Sequence, residues 1–295
     1  MSLRDQLRGT GVAIVTPFRK GKVDYDALGK LTEHLIRNKV EHIVTLGSTG
    51  ETPTLSKEEK KEISTFTLKK VNKRVPVVIG IGGNNTHNIL DSLTHDDLSG
   101  FTAILSSSPN YNKPSQEGIY EHYKAIAKNS PLPVIVYNVP GRTGSNITAA
   151  TALRLANDFE KIAGIKEASG NMVQCMHIIQ NRPKDFLVVS GDDHITLPLV
   201  ACGFDGVISV IANCFPKDFS EMVRQALKHD FKKAQAAHYK LLDAIDLLFI
   251  ENNPAGVKCF LAEMGFIQNE LRLPLVPLSK NYHAGIKTFL KNYKG

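Results

Sequence analysis

A chain of 295 residues can fold as one barrel-sized domain with an appendage or as two domains of ordinary size, and its formal charge is +7. Its aliphatic runs are too short to span a bilayer, its first residues lack the apolar stretch of a signal peptide, and lysines alternate with glutamates in 57–62 as on a solvated helix face. The composition therefore argues against a membrane protein and against a nucleic-acid-binding protein, and we expect a cytoplasmic location.

Short β-branched runs alternate with amphipathic segments through the first three-quarters of the chain. The predicted strands are 11–17, 42–47, 76–82, 101–107, 133–140, 162–168, 186–191 and 206–212, and the intervening helices include 25–39, 57–72 and 116–129. Ser56 and Ser115 are predicted helix N-caps, Ser56 with a capping-box glutamate at Glu59. Because each strand is nearly continuously apolar, as when both faces are covered, we predict an α/β fold, a closed parallel (β/α)8 TIM barrel; an open doubly wound sheet is the alternative.

The alternation stops after about residue 228. Helices are predicted at 230–250, 255–265 and 282–293, with breaks at 252–254 and 274–277. We therefore predict a catalytic barrel over 1–228 and a small helical domain over 229–295 that packs firmly against it, since no low-complexity linker separates the two. Residues 280–294 are basic without an acidic residue, and we interpret them as an exposed terminal helix.

The four cysteines are widely spaced and form no Cys-x-x-Cys pair, so we expect reduced thiols buried as small hydrophobic side chains. The histidines form neither His-x-His nor His-Glu-x-x-His, and the polar clusters 95–97 and 192–194 have no recognisable ligand spacing. Residues 80–85 lack the last glycine of a dinucleotide-binding loop. We predict no metal site and no bound cofactor.

In a parallel barrel the active site is built at the C-terminal ends of the strands, so polar residues at those positions are candidates. They are Thr16 after the first strand, 47–51 after the second, 108–112 after the fourth, 137–142 after the fifth, Lys166 at the sixth, 191–192 after the seventh and Ser209 at the eighth.

Lys166 stands at the polar end of the apolar segment 162–170. A lysine in apolar surroundings loses part of its proton affinity, which frees a neutral amine to attack a carbonyl and form a Schiff base. Taken alone, such a lysine is more simply explained as reaching water at a strand end. The turn 47–51 could bind a carboxylate, Tyr137 could relay protons, and Arg142 could bind a second carboxylate. Each of these residues also has an ordinary structural explanation, and only their convergence favours a catalytic site.

Four segments at these strand ends resemble the 4-hydroxy-tetrahydrodipicolinate synthase (dihydrodipicolinate synthase) family of pyruvate-dependent class I aldolases. They are 47–51, 137–144, 164–170 and 206–210. The resemblance runs essentially from end to end. The lysine strand and the Gly-x-x-Gly-Glu turn are shared with the wider group that includes N-acetylneuraminate lyase, whereas 137–144 and 108–118 are more characteristic of the synthases.

The resemblance implies an enzyme of diaminopimelate and lysine biosynthesis that condenses pyruvate with L-aspartate 4-semialdehyde and requires no metal or diffusible cofactor. The implied catalytic residues are Lys166, which forms the imine with pyruvate, and Tyr137, Ser48 and Tyr111, which relay protons. The implied substrate-binding residues are Thr49, Gly191 and Ile208 for pyruvate and Arg142 for the second substrate. The family is usually a homotetramer, a dimer of dimers, in which the tyrosine matching Tyr111 reaches into the neighbouring subunit's site.

The sequence departs from the commonest family pattern in two places. Ser48 stands where threonine is usual, and it keeps the hydroxyl but lacks the methyl that restricts its rotation. At the region that matches the feedback lysine site of some members, the chain has Lys57, Lys60, Asn88 and Asn110, where lysine-sensitive enzymes often have His, His, Glu and Tyr. Loss of an acid and a gain of positive charge disfavour a cationic amino acid, so we expect feedback inhibition by lysine to be weak or absent.

Two other functions are compatible with parts of this pattern. A related pyruvate-lysine aldolase acting on a sugar acid would use the same Lys166 and Tyr137, with a polar sugar pocket in place of Arg142. A non-catalytic binding protein of the same fold should have lost at least one of these three residues, and all three are present.

Overall fold

The computed structural model describes residues 2–293, which form a closed barrel of eight parallel strands surrounded by helices. The barrel strands are β1 Gly9–Ala13, β2 His42–Thr45, β3 Val77–Gly80, β4 Ala103–Ser107, β5 Val134–Asn138, β6 Ile162–Glu167, β7 Leu187–Ser190 and β8 Gly206–Ser209. Each strand pairs with the next along the chain, and β8 closes the barrel on β1, with Gly9 opposite Gly206. The prediction of a TIM barrel is confirmed, and the open sheet is excluded.

The bounds of the first strand were predicted wrongly. The prediction of 11–17 places it two residues too late at its start, because Gly9 and Thr10 carry no β-branched apolar signal. Glycine is required here: a Cβ on Gly11 would lie 1.9 Å from Nε2 of His42, whose ring fills that part of the barrel. After Ala13 the chain leaves the ladder, and Thr16 donates its hydroxyl to the carbonyl of Gly50 (2.7 Å) instead.

The other predicted strands are in place, with small errors in their bounds. Those predicted at 76–82, 101–107, 133–140 and 186–191 begin one or two residues too early. The segments 46–47, 81–82, 139–140, 168, 191 and 210–212 lie beyond the C-terminal ends of the strands. These residues turn out of the barrel and begin the loops at its C-terminal end. Leu46, Val139 and 210–212 are buried in those loops, which explains their apolar character.

The helices surround the barrel and continue beyond its last strand. They are α1 Leu3–Leu7, α2 Tyr25–Arg37, α3 Lys57–Val71, α4 Thr86–His95, α5 Gln116–Asn129, α6 Pro140–Thr143, α7 Ala149–Asp158, α8 Met172–Asn181, α9 Thr196–Ala201, α10 Pro216–Leu227, α11 Phe231–Phe249, α12 Ala255–Glu263 and α13 Lys280–Asn292. The side chains of Ser56 and Ser115 cap α3 and α5 as predicted, and Glu59 completes the capping box of α3. Neither α1 nor a short hairpin, Phe18–Arg19 with Lys22–Val23, was predicted from the sequence.

The barrel has separate inner and outer apolar layers. Alternate strand residues, among them Val44, Val78 and Val189, form the inner cluster, and Leu3 and Leu7 of α1 pack against it. The larger cluster lies between the strands and the helices and extends to α11, α12 and α13. The proposed domain boundary at residues 228 and 229 falls between α10 and α11 and stays a prediction. Among residues 2–293, no helix has both the length and the apolar character that a membrane span requires.

Candidate active site

Lys166 lies at the C-terminal end of β6 and is 5% exposed. Burial lowers the pKa of its ammonium group to about 7; the negative charge of Asp193 opposes this shift and the positive charge of Arg142 adds to it. A substantial fraction of Lys166 is therefore a neutral amine near pH 7. This is the state in which a lysine attacks a carbonyl carbon.

Tyr137 is the neighbour of Lys166 on the adjacent strand. The two residues are paired in the register of β5 and β6, and Lys166 Nζ lies 4.4 Å from the centre of the Tyr137 ring. Burial raises the pKa of the Tyr137 phenol to about 12, with a smaller downward effect from Arg142 and an upward one from Asp192. The phenol is therefore protonated at neutral pH and available as a proton donor beside the amine.

Two small or apolar positions shape the space around the amine. Gly191 follows β7, where a Cβ would lie 2.8 Å from Lys166 Cε, so only glycine leaves room for the lysine side chain. Ile208 on β8 is buried in the inner cluster together with Tyr137. The structure thus places Gly191 beside the Lys166 side chain and Ile208 in the same apolar cluster as Tyr137. The predicted contact of both residues with pyruvate stays a prediction.

The turn at 47–51 forms a short 3₁₀ helix, Ser48–Gly50, directly after β2. Thr49 is buried, and its hydroxyl accepts a hydrogen bond from Nδ2 of Asn253 (2.9 Å). Asn253 comes from the segment between α11 and α12, 204 residues further along the chain. The turn is thus held in place by the segment that joins α11 to α12.

Arg142 lies in α6 and contacts the same C-terminal segment. Its Nη2 donates to Oδ1 of Asn252 and to the carbonyl of Asn253, both at 3.2 Å. The side chain is exposed at the barrel mouth, yet its charge shifts the pKa values of both Lys166 and Tyr137. Arg142 is therefore near enough to act electrostatically on both groups.

Ser48 and Tyr111 are not brought into this cluster. Ser48 is exposed, and its hydroxyl makes no hydrogen bond with residues 2–293. Tyr111 is 86% exposed, has a positive φ of 69°, and is held by its backbone N–H, which donates to the carbonyl of Thr143 (3.3 Å). Within one chain, the relay of three hydroxyl groups is incomplete.

A buried ion pair also joins the turn to α12. Lys258 Nζ lies 2.5 Å from Oε1 of Glu51, and both side chains are fully buried. Glu51 has a positive φ of 53°, and its other oxygen accepts the backbone N–H of Arg272 (3.0 Å). Burial lowers the pKa of Lys258 to about 8, against the upward effect of Glu51. Glu51 was predicted only as part of a turn, and its pairing with Lys258 was not predicted.

A second buried network fixes the strands that carry Tyr137 and Lys166. Asn138 donates from Nδ2 to Oε2 of Glu167 (2.9 Å) and accepts the backbone N–H of Ile147 (2.9 Å). Oε1 of Glu167 accepts the backbone N–H of Ser169 (2.6 Å). Each residue follows a catalytic candidate by one position and faces away from it, so this network holds both strand ends in register.

No role was predicted for Asn138, Glu167, Asn252, Asn253 or Asp193, although Asn138 lies within the candidate segment 137–142. The one available signal was their position beside strand ends or in a polar cluster, which does not reveal a partner distant in sequence. Among the residues described, no group of three or more His, Cys, Asp or Glu side chains could hold a metal ion.

The sequence model of the Dihydrodipicolinate synthetase family matches residues 6–293. The 4-hydroxy-tetrahydrodipicolinate synthase of Parabacteroides distasonis is 53% identical over 272 residues, covering 92% of each chain. The synthase of the same name from Phocaeicola vulgatus is 52% identical over 293 residues and 99% of each chain. The crystal structure of dihydrodipicolinate synthase from Aquifex aeolicus has a TM-score of 0.94 at 40% identity, covering 97% of this chain and 98% of that one.

Proposed function

The chain belongs to the dihydrodipicolinate synthetase family, and from this premise we propose that it condenses pyruvate with L-aspartate 4-semialdehyde on Lys166. The activity is that of a 4-hydroxy-tetrahydrodipicolinate synthase, a lyase of the diaminopimelate and lysine pathway. The observation that supports it most directly is the buried amine of Lys166, with a pKa of about 7, beside the protonated phenol of Tyr137.

The first half of the proposed reaction loads pyruvate. The neutral amine of Lys166 attacks the carbonyl carbon of pyruvate, and loss of water from the adduct gives a protonated imine. Tyr137 supplies the proton that the departing hydroxyl needs and takes it back later. Thr49 and the amides of its turn bind the pyruvate carboxylate, while Gly191 and Ile208 enclose the methyl side.

The second half forms the carbon–carbon bond. Loss of a methyl proton from the imine gives an enamine, whose terminal carbon attacks the aldehyde of the second substrate while the aldehyde oxygen takes up a proton. The amino group of that substrate then attacks the imine carbon, which closes the ring and releases Lys166. Arg142 binds the carboxylate of the semialdehyde, and this orientation can lower the barrier by roughly 7–11 kcal/mol in the best cases.

The test is a coupled assay with both substrates. We expect turnover of pyruvate plus aspartate semialdehyde, and no comparable cleavage of N-acetylneuraminate or of a 2-keto-3-deoxy sugar acid. Faster cleavage of a sugar acid would instead identify a related aldolase. Absence of both activities, with no pyruvyl adduct after borohydride reduction, would identify a non-catalytic protein.

We propose further that four copies of the chain assemble and that Tyr111 of the partner subunit completes the relay with Ser48. Exposed hydrophobic side chains at two separate surfaces support two different subunit interfaces. One surface has Tyr111, in the loop after β4, and the other has Val173 and Met176 on one face of α8. Sedimentation velocity should give the mass of a tetramer at micromolar concentration. A monomer that is fully active would contradict both the assembly and the shared tyrosine.

We also place the enzyme in the cytoplasm, because its four cysteines are free.

Inhibition by lysine is expected to be weak or absent. The four positions that match the lysine site of sensitive relatives are Lys57, Lys60, Asn88 and Asn110, which present positive charge and amides to a cationic ligand. In a steady-state assay, millimolar lysine should leave the rate nearly unchanged. Strong inhibition by lysine below about 1 mM, the weak-binding end of the usual range of Michaelis constants, would contradict this prediction.

A further inference from the structure

Asp193 is a buried carboxylate that the proposed reaction does not yet use. It lies two residues after Gly191 and is 1% exposed. Its Oδ2 accepts the backbone N–H groups of Val210 (3.0 Å) and Ile211 (2.8 Å), which follow β8. Its Oδ1 is equally buried and meets the geometry of a hydrogen bond with no group of residues 2–293, although the Ser209 hydroxyl lies near enough to lower the pKa of Asp193. One oxygen thus anchors a loop of the site, and the other has no backbone partner.

The charge of this carboxylate acts on Lys166. The lysine side chain runs past the loop of Asp193, where the missing side chain of Gly191 makes room for it. Burial is the largest influence on the pKa of Lys166 and lowers it, and Asp193 is the group that raises it. Burial raises the pKa of Asp193 itself, whereas the N–H of Ile211, the hydroxyl of Ser209 and the N–H of Val210 lower it.

Among the described residues, Asp193 is the one charged group that raises the pKa of Lys166. Arg142 is positive and lowers the pKa of Lys166, and Tyr137 is a neutral phenol. Burial, with a further effect from Lys166, lowers the pKa of His42 to about 3, so its imidazole is neutral. Asp192 raises the pKa of Tyr137 and, through its charge, that of Asp193.

We propose that Asp193 is the counter-ion of the protonated imine on Lys166, a positioning residue that keeps the positive charge of the electron sink stable in a buried site. This inference rests on the proposed function. The imine must stay protonated to accept the electron pair of the methyl C–H bond when the enamine forms, and an uncompensated buried cation is costly. A carboxylate fixed by two backbone N–H groups meets this need without reorganising during the reaction.

The test is the pH dependence of kcat/KM for pyruvate, which reports ionisations of the free enzyme. In Asp193→Asn the amide oxygen can still accept from the backbone, but the negative charge is lost, so the pKa of Lys166 falls. The acid limb of the profile should move to lower pH by about one unit, and kcat should fall roughly 10- to 100-fold. Asp193→Glu, which keeps the charge, should leave the limb near its wild-type position.

Asp205→Asn is the matched control. Asp205 is also a buried carboxylate that accepts a backbone N–H, from Val188 (2.9 Å), but it precedes β8 and so lies at the opposite end of the barrel. This variant should lose stability without moving the limb. If Asp193→Asn does not fold, Asp193→Ser is the second neutral variant, with the same expected shift.

Two failures are distinguishable. Suppose that the wild type forms the pyruvyl adduct but the acid limb of kcat/KM lies at the same pH in the neutral Asp193 variants as in the wild type. Asp193 then only anchors the loop, and the counter-ion proposal is overturned. If the wild type forms no pyruvyl adduct with borohydride, the proposed function fails first.

Discussion

Lys166→Ala should abolish the condensation and leave the protein without a pyruvyl adduct after borohydride reduction. The amine is the proposed attachment point for pyruvate, and no neighbouring group replaces a covalent nucleophile, so we expect kcat to fall by roughly 10⁴-fold or more. Intact-mass measurement of the reduced protein and the coupled assay check the two parts of this prediction. The substitution removes a buried amine and should leave the barrel folded.

The control for this variant is Lys128→Ala, since Lys128 is an exposed lysine near the end of α5. It should form the adduct and turn over substrate at the wild-type rate. An adduct of unchanged yield in Lys166→Ala would place the Schiff base on another lysine.

For the wild type, kcat/KM for pyruvate should rise with pH through about 7, because the neutral amine of Lys166 is the reactive form.

The position of Lys166 could be predicted because both faces of β6 are covered. A strand buried on both sides has a nearly continuous apolar run, and its polar end then marks the mouth of the barrel. The same reasoning found β1 but misplaced its bounds, because Gly9 and Gly11 make room for neighbouring side chains and weaken the apolar pattern at its start. The bounds of a strand whose residues accommodate a neighbour's side chain cannot be read from its own composition.

The support of the site by the C-terminal helices could not be predicted from the sequence. Asn252 and Asn253 are typical of a helix break, and nothing in their spacing indicates contact with Arg142 or Thr49. Lys258 lies within an apolar helix, where its partner Glu51 is more than 200 residues away. Such pairings depend on how two parts of the chain pack, which local patterns do not encode.

Glu51→Gln should destabilise the protein strongly and weaken pyruvate binding. The substitution leaves the ammonium group of Lys258 buried without its carboxylate, and breaking a buried pair in this way costs about 3–5 kcal/mol. For a chain of this size the melting temperature should fall by roughly 10 °C. Because Glu51 ends the turn that carries Thr49, we also expect KM for pyruvate to rise more than kcat falls. Urea unfolding and steady-state kinetics measure the two effects.

The double variant Glu51→Gln/Lys258→Met separates the charge from the packing. Replacing both partners removes the uncompensated charge, so it should be more stable than Glu51→Gln alone, and a double-mutant cycle gives the coupling between the two residues. The exposed pair Arg154 and Glu117, 2.7 Å apart, is the matched surface control, and Glu117→Gln should change the free energy of unfolding very little because solvent screens that pair. If the midpoint of urea unfolding is the same for Glu51→Gln as for the wild type, the buried pair does not stabilise the fold. If stability falls but KM for pyruvate does not change, the C-terminal helices hold the barrel together without positioning the turn.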